Sequence, residues 1–139
     1  MKKKIALLMI AAAIILSPAC VQALSIGDWG GWPTIGLQFN DNLSGYLGYS
    51  NYGSPSSSWI LAKVDYNLVK LGDVQTKAGV LYTMTSPNTG TSLGLTWGAS
   101  VMALKNLSVG FDIVLAQANG TPSSTDILPY AAMAVNLIL

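Results

Sequence analysis

The fold of this chain is decided by the stretch Leu93-Gly94-Leu95-Thr96-Trp97-Gly98-Ala99-Ser100-Val101-Met102-Ala103. Its odd-numbered positions are all apolar, whereas its even-numbered positions are mostly small or polar. Alternation with a period of two places the apolar side chains on one face of a β-strand, whereas an amphipathic helix repeats every 3.6 residues. We therefore predict a strand with one apolar face here, and a chain that is built from strands.

The same alternation recurs along most of the chain. Residues 60–68 and 107–115 show it clearly, and in both segments the polar face includes charged side chains. The segments that follow the rule with weaker contrast are 33–39, 43–51, 74–84 and 127–139. Together with residues 93–103, these segments predict seven strands.

The composition excludes several classes of protein. The chain has 139 residues, of which 51% are hydrophobic and only 9% are charged. That length fits one small domain, and the shortage of charge excludes a disordered chain, a coiled coil and a nucleic-acid-binding module. The sequence contains no histidine, glutamate or arginine, and its single cysteine is Cys20. Such a composition is not that of an ordinary water-exposed surface.

The first 23 residues have the features of a secretory signal peptide. Three lysines at positions 2–4 precede an apolar run from Ile5 to Leu16, and Val21-Gln22-Ala23 supplies the cleavage site. We predict a signal peptide over residues 1–23 and one mature domain over residues 24–139. Two alternatives remain: a single membrane anchor, for which the apolar run is short, and a lipoprotein acylated at Cys20.

Tight and long connections are expected to alternate between the strands. Paired strands keep their apolar faces on the same side if each tight turn holds an odd number of residues, which selects 40–42, 70–72 and 104–106. Their third residues are Asn, Gly and Asn, which tolerate the positive φ that commonly ends a three-residue hairpin loop. Longer runs of turn-forming residues, expected to be loops, span 53–57, 87–91 and 119–124.

An antiparallel meander with short turns at one end and longer loops at the other is typical of an up-and-down transmembrane β-barrel. In a water-soluble barrel the apolar faces would point inward, and the outer face would carry many charges. Here the four charged residues that lie well within strands share their faces with glycine, serine and threonine, which suits the inside of a narrow barrel. We predict that they form a luminal polar network, and they are Lys63, Asp65, Lys77 and Asp112.

The predicted turn at 70–72 fixes one contact inside the barrel. If this turn is centred on Leu71, Asp65 lies directly across from Lys77 on the inner face. Because an isolated buried charge is costly, we expect these two side chains to form an ion pair.

The strand count needs one more strand. Seven strands are readable, whereas a barrel of this kind needs an even number. A short eighth strand over Leu24 to Gly31, connected to the next strand through residues 28–33, would satisfy the count. The alternatives are a barrel that stays open and one whose strands join those of a second copy.

Residues 39–50 read Phe-Asn-Asp-Asn-Leu-Ser-Gly-Tyr-Leu-Gly-Tyr-Ser. This hairpin resembles those of the small, opacity-protein-like outer-membrane β-barrel proteins of Gram-negative bacteria. As a pattern, the resemblance covers residues 33–139. It implies an eight-stranded barrel in the bacterial outer membrane, with short periplasmic turns, exposed outer loops and a filled interior. It also implies two partners, the outer-membrane lipid and the barrel assembly machinery.

The sequence lacks the residues on which many enzymatic sites depend. Without histidine it has no Ser-His-Asp relay and no histidine metal site, and it has no glycine-rich phosphate loop. The chain from Leu24 onward has four lysines and six aspartates, a formal net charge of −2, with no basic patch for nucleic acid. We therefore expect a non-enzymatic protein with no cofactor and no metal.

Several roles remain for such a barrel. The first is a structural or surface-interaction role, in which the outer loops contact a surface ligand. The second is transport across the outer membrane, through a narrow channel or through a site for a small apolar ligand beside Trp29, Trp32 and Trp59. A soluble periplasmic barrel that binds a lipid is a third alternative.

Overall fold

The computed structural model describes residues 21–51, 58–86, 90–120 and 123–139, so almost all of the predicted signal peptide lies outside the described residues. The regular structure in these ranges is β-strand throughout. Among the described residues no helix combines the length and the hydropathy that crossing a membrane requires. The strands are β1 (Ala23–Trp29), β2 (Trp32–Gln38), β3 (Leu43–Ser50), β4 (Ser58–Leu71), β5 (Val74–Ser86), β6 (Thr91–Leu104), β7 (Leu107–Gly120), β8 (Ser123–Ile127) and β9 (Ala131–Ile138).

Eight of these strands close into an antiparallel barrel. Consecutive strands pair from β1 to β7, β7 pairs with β9, and β9 pairs with β1 to complete the ring. β8 extends the wall above β9 by pairing with the last residues of β7, from Ala116 to Gly120. The predicted all-β, antiparallel, eight-stranded barrel is confirmed.

The eighth strand, expected over Leu24 to Gly31, is β1. It pairs with β2 over its whole length and with β9 from Ser25 to Trp29. It ends at Trp29 because Gly30 and Gly31 form a two-residue turn, with φ values of +61° and +88° that glycine adopts at little cost. Since the ring closes within one chain, the alternatives of an open barrel and of strands shared with a second copy are excluded.

One of the three predicted tight turns is confirmed and two differ in detail. Gln38 pairs with Ser44 around a turn centred on Asp41, as the three-residue turn 40–42 requires. The other two turns hold the residue pairs 72–73 and 105–106, and in each hairpin the strand before the turn contains a shift of register. Positive φ occurs at Gly72 but at neither Asn42 nor Asn106, so the expected positive φ is found only at the glycine.

The register shift between Asn67 and Lys70 changes which residues face each other. Asp65 pairs with Gly79, and Lys77 pairs with Asn67. The prediction that Asp65 lies directly across from Lys77 is therefore wrong, because a bulge in β4 and the two-residue turn after it move the register of the hairpin. The bulge preserves the alternation of faces, so both side chains still point into the barrel.

The long connections also differ from expectation. Of the loop expected at 119–124, Gly120 belongs to β7 and Ser123 to β8, so most of this segment is strand. The predicted strand 127–139 is interrupted at Leu128, whose φ is +50°, and resumes at Ala131. Residues 53–57 and 87–89 of the other two expected loops lie outside the described residues.

The apolar faces of the strands point outward. Along β6, Leu95 is 55% exposed, whereas its neighbour Thr96 is 3% exposed. Along β4, Val64 is exposed, whereas Lys63 and Asp65 on either side of it are buried. The barrel thus has the polarity opposite to that of a water-soluble barrel, whose apolar side chains fill the inside.

The barrel has two halves of different strand length. β9, β1, β2 and β3 hold 7 or 8 residues each, and we call them the short half. β4 to β7 hold 13 or 14 residues each, and we call them the long half. At about 3.3 Å per residue, the strands of the long half extend roughly 20 Å further.

Candidate functional site

The four charged side chains expected in the lumen meet at one place inside the barrel. Lys63 and Asp65 come from β4, Lys77 from β5 and Asp112 from β7, so all four belong to the long half. Their exposure ranges from 0% for Asp112 to 7% for Lys77. We call these four residues the charged quartet. With two lysines and two aspartates, the quartet is neutral as a whole.

Each lysine of the quartet is ion-paired with both aspartates. Lys63 Nζ pairs with Asp65 and lies 3.1 Å from Oδ2 of Asp112. Lys77 Nζ lies 3.1 Å from Oδ2 of Asp65 and 3.2 Å from Oδ1 of Asp112. The Asp65–Lys77 pair is therefore diagonal across the β4–β5 hairpin. Because an unpaired buried charge is costly, this mutual pairing allows four ionised groups to share a narrow interior.

Each aspartate of the quartet faces a glycine on a neighbouring strand. Asp65 pairs with Gly79, and Asp112 pairs with Gly98. A Cβ atom at Gly79 would overlap Oδ1 of Asp65, and one at Gly98 would overlap Oδ1 of Asp112. The two glycines therefore leave the space that the carboxylates occupy.

The short half closes over the quartet with two aromatic side chains. The Nε1–H group of Trp29, on β1, donates a hydrogen bond of 2.6 Å to Oδ2 of Asp112. The ring centroid of Tyr46, on β3, lies 5.6 Å from Nζ of Lys63 and 6.0 Å from Nζ of Lys77, within the range of a cation–π interaction. Sequence reasoning missed both contacts, because they depend on how far the strands are staggered when the ring closes.

An apolar layer lies beside the quartet, toward the β1–β2 turn. Leu61, Leu81 and Val114 are 0–1% exposed and form one buried cluster with Trp29 and two alanines of β9. Leu61 and Val114 are each two positions from a quartet residue on the same strand, and so they share its inward face. The centre of the barrel is thus filled by a charged layer and an apolar layer.

Cavities open on both sides of this filled centre. The cavity beside the quartet measures about 10 Å³, which is no more than one water molecule needs. At the end of the barrel that holds the turns 40–42, 72–73 and 105–106 lies a cavity of about 260 Å³. Toward the β1–β2 turn lies a larger one of about 530 Å³, which we call the mouth cavity. The charged and apolar layers separate these two cavities.

Aromatic side chains line one side of the mouth cavity, and they are Trp29, Trp32, Trp59 and Tyr130. The rings of Trp32 and Trp59 pack edge to face, with centroids 5.8 Å apart, and those of Trp29 and Tyr130 do so at 6.4 Å. The structure thus brings together the three tryptophans singled out in the sequence. Sequence reasoning missed Tyr130, which follows the break in the strand at Leu128.

The wall of the mouth cavity is lowest over the β1–β2 turn. Trp29 contacts the quartet at the centre of the barrel and is the last residue before that turn. By contrast, β7 continues from Asp112 to Gly120, and β5 continues from Lys77 to Ser86. Among the described residues, the short half therefore leaves a gap in the rim.

The described residues hold no group of three or more His, Cys, Asp or Glu side chains that could bind a metal ion. The geometry defines a class of protein, a closed eight-stranded barrel with a filled centre and an aromatic mouth. No family model, curated protein or solved structure matches this chain.

Proposed function

We propose that this chain is a non-enzymatic β-barrel protein of the bacterial outer membrane, exported through a cleaved signal peptide, with a structural or surface-interaction role. The apolar outer surface of the barrel carries this proposal. Leu47, Val64, Leu95 and Met133 on four different strands are 48–68% exposed, while the quartet is buried. A continuous apolar surface is typical of contact with a membrane, and antiparallel barrels cross membranes with this inside-out polarity.

The filled centre favours a structural role over a channel. The quartet and the apolar layer leave about 10 Å³ of space between the two end cavities. An eight-stranded barrel has an interior just wide enough for its own side chains, which agrees with this filling. The narrow channel therefore remains the alternative with less support.

The location is tested by fractionation of cells that express the full chain. We expect the protein in the outer-membrane fraction, with a mobility on a denaturing gel that changes on heating, and with Leu24 as its first residue. A water-soluble periplasmic protein would contradict the membrane location. An acylated Cys20 at the N-terminus would contradict the signal peptide proposed here and support the lipoprotein alternative.

The orientation is tested with single cysteines. We propose that the tight turns face the periplasm and that the mouth cavity opens outside the cell. An impermeant maleimide should label Ser123→Cys on whole cells and should not label Lys105→Cys, whereas lysed cells should label at both positions. The reverse pattern on whole cells would reject this orientation.

Conductance measurements distinguish the structural role from the narrow channel. We expect the refolded protein to give no steady single-channel current in a planar bilayer, because the charged and apolar layers block the lumen. Discrete conductance that changes in a Leu61→Gly variant would instead support the channel.

A further inference from the structure

The mouth cavity has two chemically different walls. The aromatic wall consists of the four rings described above. The opposite wall carries neutral hydroxyl and amide groups from the long half and β8, including those of Thr83, Ser92, Gln117, Asn119 and Ser124. No charged side chain of the described residues lines the cavity. The cavity therefore presents an apolar surface and a hydrogen-bonding surface to the same space.

One polar atom of this wall has an unused hydrogen-bonding capacity. The side-chain amide of Gln117 donates a hydrogen bond of 2.9 Å to Oδ1 of Asn119. Its Oε1 atom is buried and has no hydrogen-bond partner within the described residues. A buried acceptor without a partner is costly, so a rotation of the Gln117 side chain that turns Oε1 into the cavity, where a ligand hydroxyl can donate to it, is favourable.

The aromatic wall offers two exposed rings, those of Trp59 and Tyr130, which is 40% exposed. Trp59 is 37% exposed, whereas Trp29 is 6% exposed because its ring belongs to the buried cluster. Trp32 packs against Trp59 edge to face and holds its orientation. An exposed ring held in this way is a platform on which a flat, weakly polar C–H surface can stack.

These features restrict the class of ligand. Thr83 already bonds Ser92, and Asn119 bonds Ser124, so an acyl chain would leave one acceptor of this wall, Oε1 of Gln117, without a donor. An anionic ligand would find no cation among the described residues of the lining. A neutral sugar ring has a C–H face that stacks on Trp59 and hydroxyl groups that can donate to Gln117. A cavity of about 530 Å³ has room for one or two such rings. We propose that the mouth cavity is a binding site for a neutral saccharide.

The gap that the described residues leave in the rim over the β1–β2 turn offers such a ligand a lateral path into the cavity. The source of the sugar could be a free saccharide or the head group of a membrane glycolipid, which share this chemistry. Only the side of approach rests on the proposed outer-membrane orientation; binding itself depends on the cavity alone. A binding failure in purified protein is therefore distinguishable from a failure of the location experiments.

Tryptophan fluorescence provides the test. Of the four tryptophans, Trp97 points outward against Phe111, so a Trp97→Phe variant keeps only the three at the mouth as reporters. The mature barrel is refolded in micelles of an amine-oxide detergent, whose head group carries no sugar. It is then titrated with glucose, galactose, N-acetylglucosamine and maltose, with glucuronate and glucose 6-phosphate as charged analogues, and with a medium-chain fatty acid.

We expect a saturable change with at least one neutral sugar and weaker binding of its charged analogue. If the tryptophan fluorescence changes in alkyl maltoside micelles but does not change when free maltose is added, the ligand is a membrane-linked sugar. A sugar that is held by a few hydrogen bonds and by stacking on one aromatic ring should bind with a dissociation constant of about 1 mM. No saturable change with any sugar or alkyl glycoside, or a response to the fatty acid alone, would overturn the proposal.

Two glutamines make a matched pair of variants. Gln117→Leu removes the unpaired acceptor at the mouth and should weaken saccharide binding by about fivefold to tenfold. Gln38→Leu makes the same change at the opposite end of the barrel, where Gln38 lines the other cavity, and should leave binding unchanged. Equal effects of the two variants would contradict the site, and circular dichroism establishes that both variants fold.

Discussion

The long half and the short half contribute different chemistry to the same interior. The long half supplies all four charged side chains, and it could balance their charges without the rest of the barrel. The short half supplies Trp29 and Tyr46, which cover the quartet and contact three of its members directly. One half therefore holds the charges, and the other half removes them from water.

This difference has an energetic meaning. Ion pairs gain strength as water is excluded, but a charge that loses its partner in the same environment becomes more costly. We therefore expect changes within the long half to have larger effects on stability than changes in the aromatic residues of the short half. Four predictions test this order.

The largest effect is expected when one charge of the long half is removed. Asp65→Ala leaves two lysines with one aspartate, and Lys77→Ala leaves two aspartates with one lysine. Each variant should lose about 3 to 5 kcal/mol of unfolding free energy, as expected for breaking a buried pair. Unfolding by urea or guanidinium in lipid vesicles, followed by fluorescence, measures the loss.

The double variant is the control for this prediction. With both Asp65 and Lys77 replaced by alanine, Lys63 and Asp112 remain as a neutral pair 3.1 Å apart. The double variant should therefore lose clearly less than the sum of the two single losses. Strictly additive losses would mean that the two side chains do not interact, and the quartet would then not be a network.

The second prediction concerns the space that glycine leaves in the long half. Gly98→Ala places a methyl group where Oδ1 of Asp112 lies and in overlap with the backbone oxygen of Phe111, so both the carboxylate and the neighbouring strand must shift. Overpacking of this kind should cost about 2 to 3 kcal/mol. Gly94→Ala is the matched control on the same inward face. A Cβ atom added at Gly94 would lie 3.3 Å from its nearest neighbour, Cγ1 of Val114, so this change causes much less overlap. A larger loss for Gly94→Ala would reverse the expected order.

Much of this architecture could be predicted from the sequence, because alternation decides it. The strict period of two in residues 93–103 fixed which side chains face inward, and the same rule placed Lys63, Asp65, Lys77 and Asp112 on inner faces. The even number of strands required by a closed barrel then pointed to β1, which carries little pattern of its own.

The contacts inside the barrel could not be predicted in the same way. A two-residue turn at 72–73 with a bulge keeps the same alternation as the expected three-residue turn at 70–72, so the sequence pattern does not distinguish their registers. The stagger of the closed ring, which brings Trp29 to Asp112, is not encoded in any single hairpin. The break at Leu128 has no counterpart in the apolar pattern, and it explains why Tyr130 was missed.

The third prediction moves to the short half. Trp29→Phe keeps an aromatic ring in the buried cluster but removes the Nε1–H group that donates to Asp112. A hydrogen bond to a charged group contributes about 1.5 to 3 kcal/mol, so the variant should lose roughly 2 kcal/mol. In an Asp112→Asn background the same change should cost less, since the acceptor is no longer charged. An equal cost in both backgrounds would show that only the packing of the ring matters.

The smallest effect is expected at Tyr46. Its ring lies near both lysines without a hydrogen bond to either, and a desolvated cation–π contact contributes about 1 to 2 kcal/mol. Tyr46→Leu should therefore lose about 1 kcal/mol more than Tyr46→Phe, which keeps the ring. Because Lys77 is one of the two cations, the gap between the Leu and Phe variants should shrink when Asp65 and Lys77 are both replaced by alanine. If the gap is unchanged in that background, the ring of Tyr46 has no electrostatic contact with Lys77, and any cation–π contribution of the short half comes from Lys63 alone.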